Sequence, residues 1–189
     1  MVVCYEWRLT MNLVLIGYRG TGKSTVGRLL ATRWDCPLLD LDDEIERTAG
    51  MSIAEIFAAE GEPGFRRREA EVVREACRVN QTVIAAGGGS VVDWDNRDLL
   101  RRSGQVVWLT ASAENIHARI SGDATTAARR PNLTQGGGID EVRRLLAERT
   151  PTYKKAADLV IDADDKTAAD VAEEIATELN WNSLPAEAR

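Results

Sequence analysis

Lys23 and Ser24 close the segment Gly17-Tyr18-Arg19-Gly20-Thr21-Gly22-Lys23-Ser24, a set of residue types suited to a polyphosphate. The lysine ammonium supplies a mobile positive charge for β and γ phosphates. The serine hydroxyl suits the oxygen shell of Mg²⁺, which is commonly shared with phosphate. The glycines let consecutive backbone N–H groups turn inward and approach the anion closely. The segment directly follows the apolar run Leu13-Val14-Leu15-Ile16 and opens into a helical pattern from Thr25 to Trp34. Strand, glycine-rich loop and helix in this order make a P-loop, and the helix aims its positive dipole end at the phosphates. Gly20, Thr21, Gly22, Lys23, Ser24 and Thr25 are therefore the candidate nucleotide-binding residues. A glycine-rich turn with a surface lysine is the plainer reading; the flanking strand and helix favour the phosphate site.

Other groups of residues could complete the chemistry. Asp40 and Asp42 lie beyond the short run Pro37-Leu38-Leu39. Asp40 could hold water on Mg²⁺, and Asp42 could bind substrate hydroxyls and take a proton. Both would also suit a helix N-terminus, the preferred reading for Asp43 and Glu44. Arg66-Arg67-Arg68 precede Glu69. An arginine fork matches a carboxylate bidentately, but three consecutive arginines diverge by about 100° each on a helix. At most one or two can face one site; read alone, the run resembles a solvated face. Glu69, three residues beyond Arg66, shares its face and could orient it. Gly87-Gly88-Gly89 permits a close backbone approach to a ligand. Arg130 lies in an aperiodic stretch, where it could close over transferring phosphoryl oxygens. Arg149, just before Thr150-Pro151, could turn inward; alone it is a surface arginine.

These residues need a frame that gathers them. Apolar runs at Leu13-Ile16, Leu38-Leu39, Thr82-Ala86, Val106-Leu109 and Leu159-Ile161 read as buried strands. Helical patterns separate them: Ser52 with Glu55 forms a capping box before Ile53-Phe57, and further helices run about Phe65–Arg78, Asn96–Arg102, Ser112–Ile120, Asp140–Lys155 and Thr167–Leu179. Continuous apolar strands alternating with amphipathic helices predict a parallel sheet covered on both faces. Ligands then sit at the carboxyl ends of the strands, where the special residues fall.

The 189 residues suit a single domain. A net charge of -6 disfavours nucleic-acid binding through a basic surface. Cys4, Cys36 and Cys77 are widely spaced without metal-ligand pattern, which suits free thiols in a reducing cytoplasm. No stretch is long and apolar enough to span a membrane. His117, the only histidine, reads as a solvated or half-buried helix residue, and the five tryptophans as core or packing residues. The expected organisation is an extension at 1–10, a domain at 11–179 with a lid at about 122–138, and a frayed tail at 180–189.

Taken in order, the motifs resemble the shikimate kinase family. GYRGTGKST, LLDLDDEIE, SIAEIFAAEGEPGFRRRE, the triple glycine, RRP and ERTPTY carry the likeness from Met11 to Leu179. The resemblance implies a P-loop NTPase of three α/β/α layers, with a five-stranded parallel sheet of order 2-3-1-4-5 and a lid. It implies phosphoryl transfer from ATP to the 3-hydroxyl of shikimate, with Mg²⁺, by a cytoplasmic monomer that binds neither nucleic acid nor membrane. It makes Lys23, Asp42 and Arg130 catalytic. Asp42, Arg66, Glu69, Gly88, Gly89 and Arg149 would bind shikimate, with Phe57 and Phe65 lining the ring pocket. Ser24 and Asp40 would hold the metal, while Arg119 and Arg130 would reach the nucleotide. The lid departs from the family in Asn132, where leucine is commoner, and in Gly136-Gly137-Gly138. The nearest rivals are a gluconate or nucleotide kinase on the same fold and a silent nucleotide-binding module.

Overall fold

A computed structural model describes residues 11–122 and 138–180. The expected extension at 1–10, nearly all of the lid with Arg130, and the tail beyond Asn180 lie outside the described residues. Five strands form one sheet: β1 (Asn12–Ile16), β2 (Leu38–Asp40), β3 (Val83–Ala85), β4 (Gly104–Thr110) and β5 (Leu159–Asp162). Their order is β2-β3-β1-β4-β5, as expected. Each neighbouring pair is parallel; Leu13 lies opposite Val83 on one side and Gln105 on the other.

Every residue of β1 is buried, the pattern of a parallel strand covered on both faces. Successive side chains go to opposite layers. Val14 and Ile16 join Ile84, Val106 and Trp108 in one layer. Leu13 and Leu15 join Val83, Val107, Leu109 and Ile161 in the other. The first layer is covered by α2 (Leu41–Ala49), α3 (Ile53–Ala76) and α4 (Trp94–Ser103). The second is covered by α1 (Lys23–Trp34) and the closing helix α7 (Ala168–Glu178). α5 (Ala113–Gly122) and α6 (Gly138–Ala156) pack together beside the end of β1, with Tyr18 between them.

One expectation is met and one needs correcting. The stretch around Phe65 is, as expected, a helical piece apart from the one capped at Ser52: α3 breaks at Gly61, whose φ of 65° and ψ of -174° leave the helical region. Pro63 then suits the restarting turn, where a missing N–H costs nothing. The tryptophans do not all pack inside: Trp108 is buried, but Trp94 is 65% exposed. Trp94 opens α4, and Asp93 caps that helix through its bond to the Asn96 amide, so local capping decides its place. The Ser52–Glu55 capping box and half-buried His117 within α5 match expectation.

β3 and β4 flank β1 on opposite sides. The chain therefore leaves toward both edges from the centre of the sheet. The crevice at the carboxyl end of β1 is the switch point where such folds bind ligands. Among the described residues no helix is long and apolar enough to cross a membrane.

Candidate active site

The loop after β1 is held by its own lysine. Lys23 Nζ donates to the carbonyls of Gly17 at 2.9 Å and Tyr18 at 2.8 Å, and the residue is buried. Gly22 precedes α1 with φ of 92°, a left-handed conformation that disfavours residues with a Cβ. No side chain caps α1, and its first turn contains no acid. By contrast, side chains of Asp40, Ser52, Asp93 and Thr167 cap α2, α3, α4 and α7. The start of α1 thus presents backbone donors and a positive dipole end to an anion. Thr21 turns its hydroxyl to the Tyr18 carbonyl at 2.8 Å, so its side chain braces the loop. Ser24 and Thr25 stand exposed on the first turn.

Ser24 meets Asp40 across the crevice, its Oγ donating to Oδ2 at 2.5 Å. Asp40 ends β2, and its other oxygen accepts the Asp42 amide at 3.0 Å, capping α2. Burial pushes the Asp40 carboxyl above its ordinary value; the Ser24 bond opposes this, and Asp42 and Asp43 reinforce it. Two hard oxygens beside a phosphate loop, with surplus negative charge around them, fit Mg²⁺. Asp43 is exposed and Glu44 pairs with Arg47 at 2.6 Å, so those acids serve the helix as expected.

A raised carboxyl pKa favours the folded state below the unfolded value of about 3.9, and this contribution is lost as pH rises through the folded value. Asn keeps an oxygen for the cap. In metal-free buffer, Asp40→Asn is therefore expected to raise the melting midpoint at pH 8 by ~1–3 °C. The gap should narrow toward pH 4. Thermal scans at both pH values check this; a variant less stable than the parent at pH 8 contradicts it.

On the other side of the crevice, one arginine of the run turns inward. Arg66 donates to Glu69 at 2.6 Å and to Glu62 at 3.1 Å. Arg67 is exposed, and Arg68 pairs with Glu60 at 2.6 Å. Glu69 is almost completely buried, and its second oxygen accepts the Ser90 hydroxyl at 2.6 Å. Thus a buried carboxylate aims Arg66, and a serine aims the carboxylate. Ser90 escaped the sequence reading, although it directly follows the triple glycine. A Cβ on Gly89 would lie 2.8 Å from Arg66 Nη1, so glycine gives the guanidinium its place against the turn. Phe57 and Phe65 stack at 4.8 Å, and Arg66 lies over the Phe65 ring.

Arg149 reaches the same turn from α6, donating to the Gly88 carbonyl at 3.1 Å. Tyr153, one helical turn further on, donates its hydroxyl to that carbonyl too; sequence reading left its role unassigned. Arg119 points away from this turn. Its guanidinium donates to the Ala163 carbonyl at 2.7 Å, beyond β5, near Asp164, which accepts from Ser112 and Asn115. The fold therefore gathers Arg66, Glu69, Gly88, Gly89 and Arg149 at one turn, and Lys23, Ser24 and Asp40 at the neighbouring loop. Gly88 joins the two, since a Cβ there would sit 3.1 Å from the Arg19 amide nitrogen. Asp42 is half-buried at the start of α2. Among the described residues no group of three His, Cys, Asp or Glu forms a metal cluster, so a cation would lean on phosphate oxygens and water.

A family model described as shikimate kinase matches residues 19–180. A shikimate kinase of Rhodopirellula baltica is 48% identical over 164 residues, covering 87% of this chain and 88% of the relative. One of Symbiobacterium thermophilum is 47% identical, covering 89% and 96%. Among solved structures, the shikimate kinase of Acinetobacter baumannii in complex with shikimate superposes with a TM-score of 0.86 at 36% identity, covering 96% of this chain and 99% of that one.

Proposed function

Because this chain belongs to the shikimate kinase family, we propose that its cleft holds ATP on the β1 loop and shikimate against the Gly88–Gly89 turn. The reaction transfers the γ-phosphoryl group of ATP to the 3-hydroxyl of shikimate, giving 3-phosphoshikimate and ADP, a step of chorismate and aromatic amino acid biosynthesis. The observation that carries the site assignment is the meeting of Arg66 and Arg149, from two different helices, at one turn. Two guanidinium groups there, Arg66 against the Phe57–Phe65 stack, suit a small carboxylate on a ring.

The residues divide the work. The loop amides of Gly20, Thr21 and Gly22 and the start of α1 cradle the phosphates, and Lys23 moves from its carbonyls to the β and γ oxygens. Ser24 and Asp40 would hold Mg²⁺, Asp40 through water, and the ion would supply positive charge to the phosphate oxygens. Asp42 accepts the shikimate hydroxyls and takes the proton as the acceptor oxygen bonds to phosphorus. The bond from the γ-phosphorus to the bridging oxygen breaks, and its electron pair leaves on ADP. Arg66 and Arg149 clamp the carboxylate, Glu69 holds Arg66, and Gly88 and Gly89 bring the backbone close. Arg119 packs toward the adenine. Arg130, by resemblance, comes from the lid to the transferring oxygens and helps exclude water. The proposed working unit is a monomer. The separate thiols Cys36 and Cys77 suit the cytoplasm.

Shikimate-dependent ADP release by the purified protein tests the reading; a folded protein with none above background would overturn it. A gluconate and nucleotide panel separates the rivals: a nucleotide offers the two arginines no carboxylate, and gluconate is an open chain without the ring that suits the Phe57–Phe65 stack. Arg66→Ala is expected to raise the shikimate KM about 30-fold, the equivalent of ~2 kcal/mol for a charged hydrogen bond, with the ATP KM nearly unchanged. Steady-state kinetics in both substrates checks it; an unchanged shikimate KM removes Arg66 from the clamp.

A further inference from the structure

The P-loop pattern leaves its second and third residues free. Here they are Tyr18 and Arg19, and both turn away from the phosphate side into the protein. Arg19 Nη2 donates to Glu141 Oε1 at 3.4 Å, across 122 residues of sequence. The two side chains are 12% and 2% exposed. Glu141 stands in the first turn of α6, where an acid also suits the helix dipole. Tyr18 is completely buried against Ile116, Val142 and Leu145. The Arg149 guanidinium carbon lies over the Tyr18 ring, 5.7 Å from its centroid. Val142, Leu145 and Arg149 follow the i, i+3, i+7 spacing of one helix face. Arg149 lies about 12 Å along the axis from Glu141. One dipeptide therefore meets both halves of the site. The Tyr18 carbonyl accepts Lys23, and the Tyr18 ring seats Arg149.

We propose that Arg19 and Glu141 are positioning residues that lock α6, and with it Arg149, to the phosphate loop. The inference rests on the assignment of Arg149 to the shikimate carboxylate. Neither residue touches a substrate; the pair fixes the angle at which α6 leaves the loop. Removing either partner takes away this tie between two nearly buried charges, so the start of the helix shifts in response. A shift of that rigid element displaces the guanidinium at its far end, and small displacements of a clamp are costly.

The test uses Glu141→Gln, Arg19→Met, the double variant and the exchanged pair Arg19→Glu with Glu141→Arg, each assayed for KM of both substrates, kcat and melting midpoint. Each single change is expected to raise the shikimate KM about tenfold and leave the ATP KM within about threefold. The double variant should lose no more than the worse single, because both remove one interaction. The exchanged pair should regain at least half of the loss on a logarithmic scale. A shikimate KM within about twofold of the parent, an equal rise in both KM values, or additive losses overturns the proposal. Should Glu141→Gln fail to fold, Glu141→Asp, which keeps the charge and shortens the reach, is judged by the same limits. Arg149→Ala runs alongside. If it leaves the shikimate KM unchanged, the carboxylate assignment fails; if it raises KM while Glu141→Gln does not, only the locking role fails.

Discussion

Lys23→Ala is expected to lower kcat about 10³-fold while the fold survives. The ammonium is buried in the mouth of the loop within 2.9 Å of two backbone carbonyls, which it exchanges for phosphate oxygens in the proposed reaction. Transfer of a phosphoryl group spreads charge over oxygens, and a fixed cation in a water-poor site stabilises that charge strongly. Alanine is a strong helix former, and the first helical bond, from Val26 N–H to the Gly22 carbonyl, needs no side chain. Single-turnover and steady-state ADP release give the rate, and circular dichroism confirms the fold. A folded variant within tenfold of the parent would remove Lys23 from the chemistry.

Asp42→Asn is expected to cost about 10²–10⁴ in kcat, the usual contribution of a positioned proton acceptor. Asparagine keeps the size and the hydrogen-bonding reach but cannot take the proton. Its backbone amide still satisfies Asp40, so the start of α2 is preserved. Asp43→Asn, one residue along and exposed, is the matched control and should change kcat by less than about twofold. A kcat for Asp42→Asn within about threefold of the parent would restrict Asp42 to binding.

The parts of the site set by local chemistry were legible in the sequence. A strand, loop and helix in contiguous residues announce the phosphate site, and the Ser52–Glu55 box announces a helix start at Ile53. The strand order was readable only through the family resemblance, because buried parallel strands show no alternation that ranks them. What stayed hidden depends on contacts between distant residues. Ser90 meets Glu69 across 21 positions, Tyr153 meets Gly88 across 65, and Arg19 meets Glu141 across 122. No local pattern encodes such pairings. The break at Gly61 was legible too: Gly-Glu-Pro ends one helical piece and starts the next, and the two pieces bury Ile56 and Phe65 in one layer.

Arg66 already answers to two carboxylates, Glu62 at its edge and Glu69 beneath it. In the proposed clamp a substrate carboxylate would share this guanidinium instead of capturing a bare cation, and the attraction would be correspondingly tempered. The phosphorylated product would retain the same carboxylate and be gripped just as hard by an uncompensated arginine. Tempered attraction would let it depart, so in that clamp the two acids would favour turnover over tight retention.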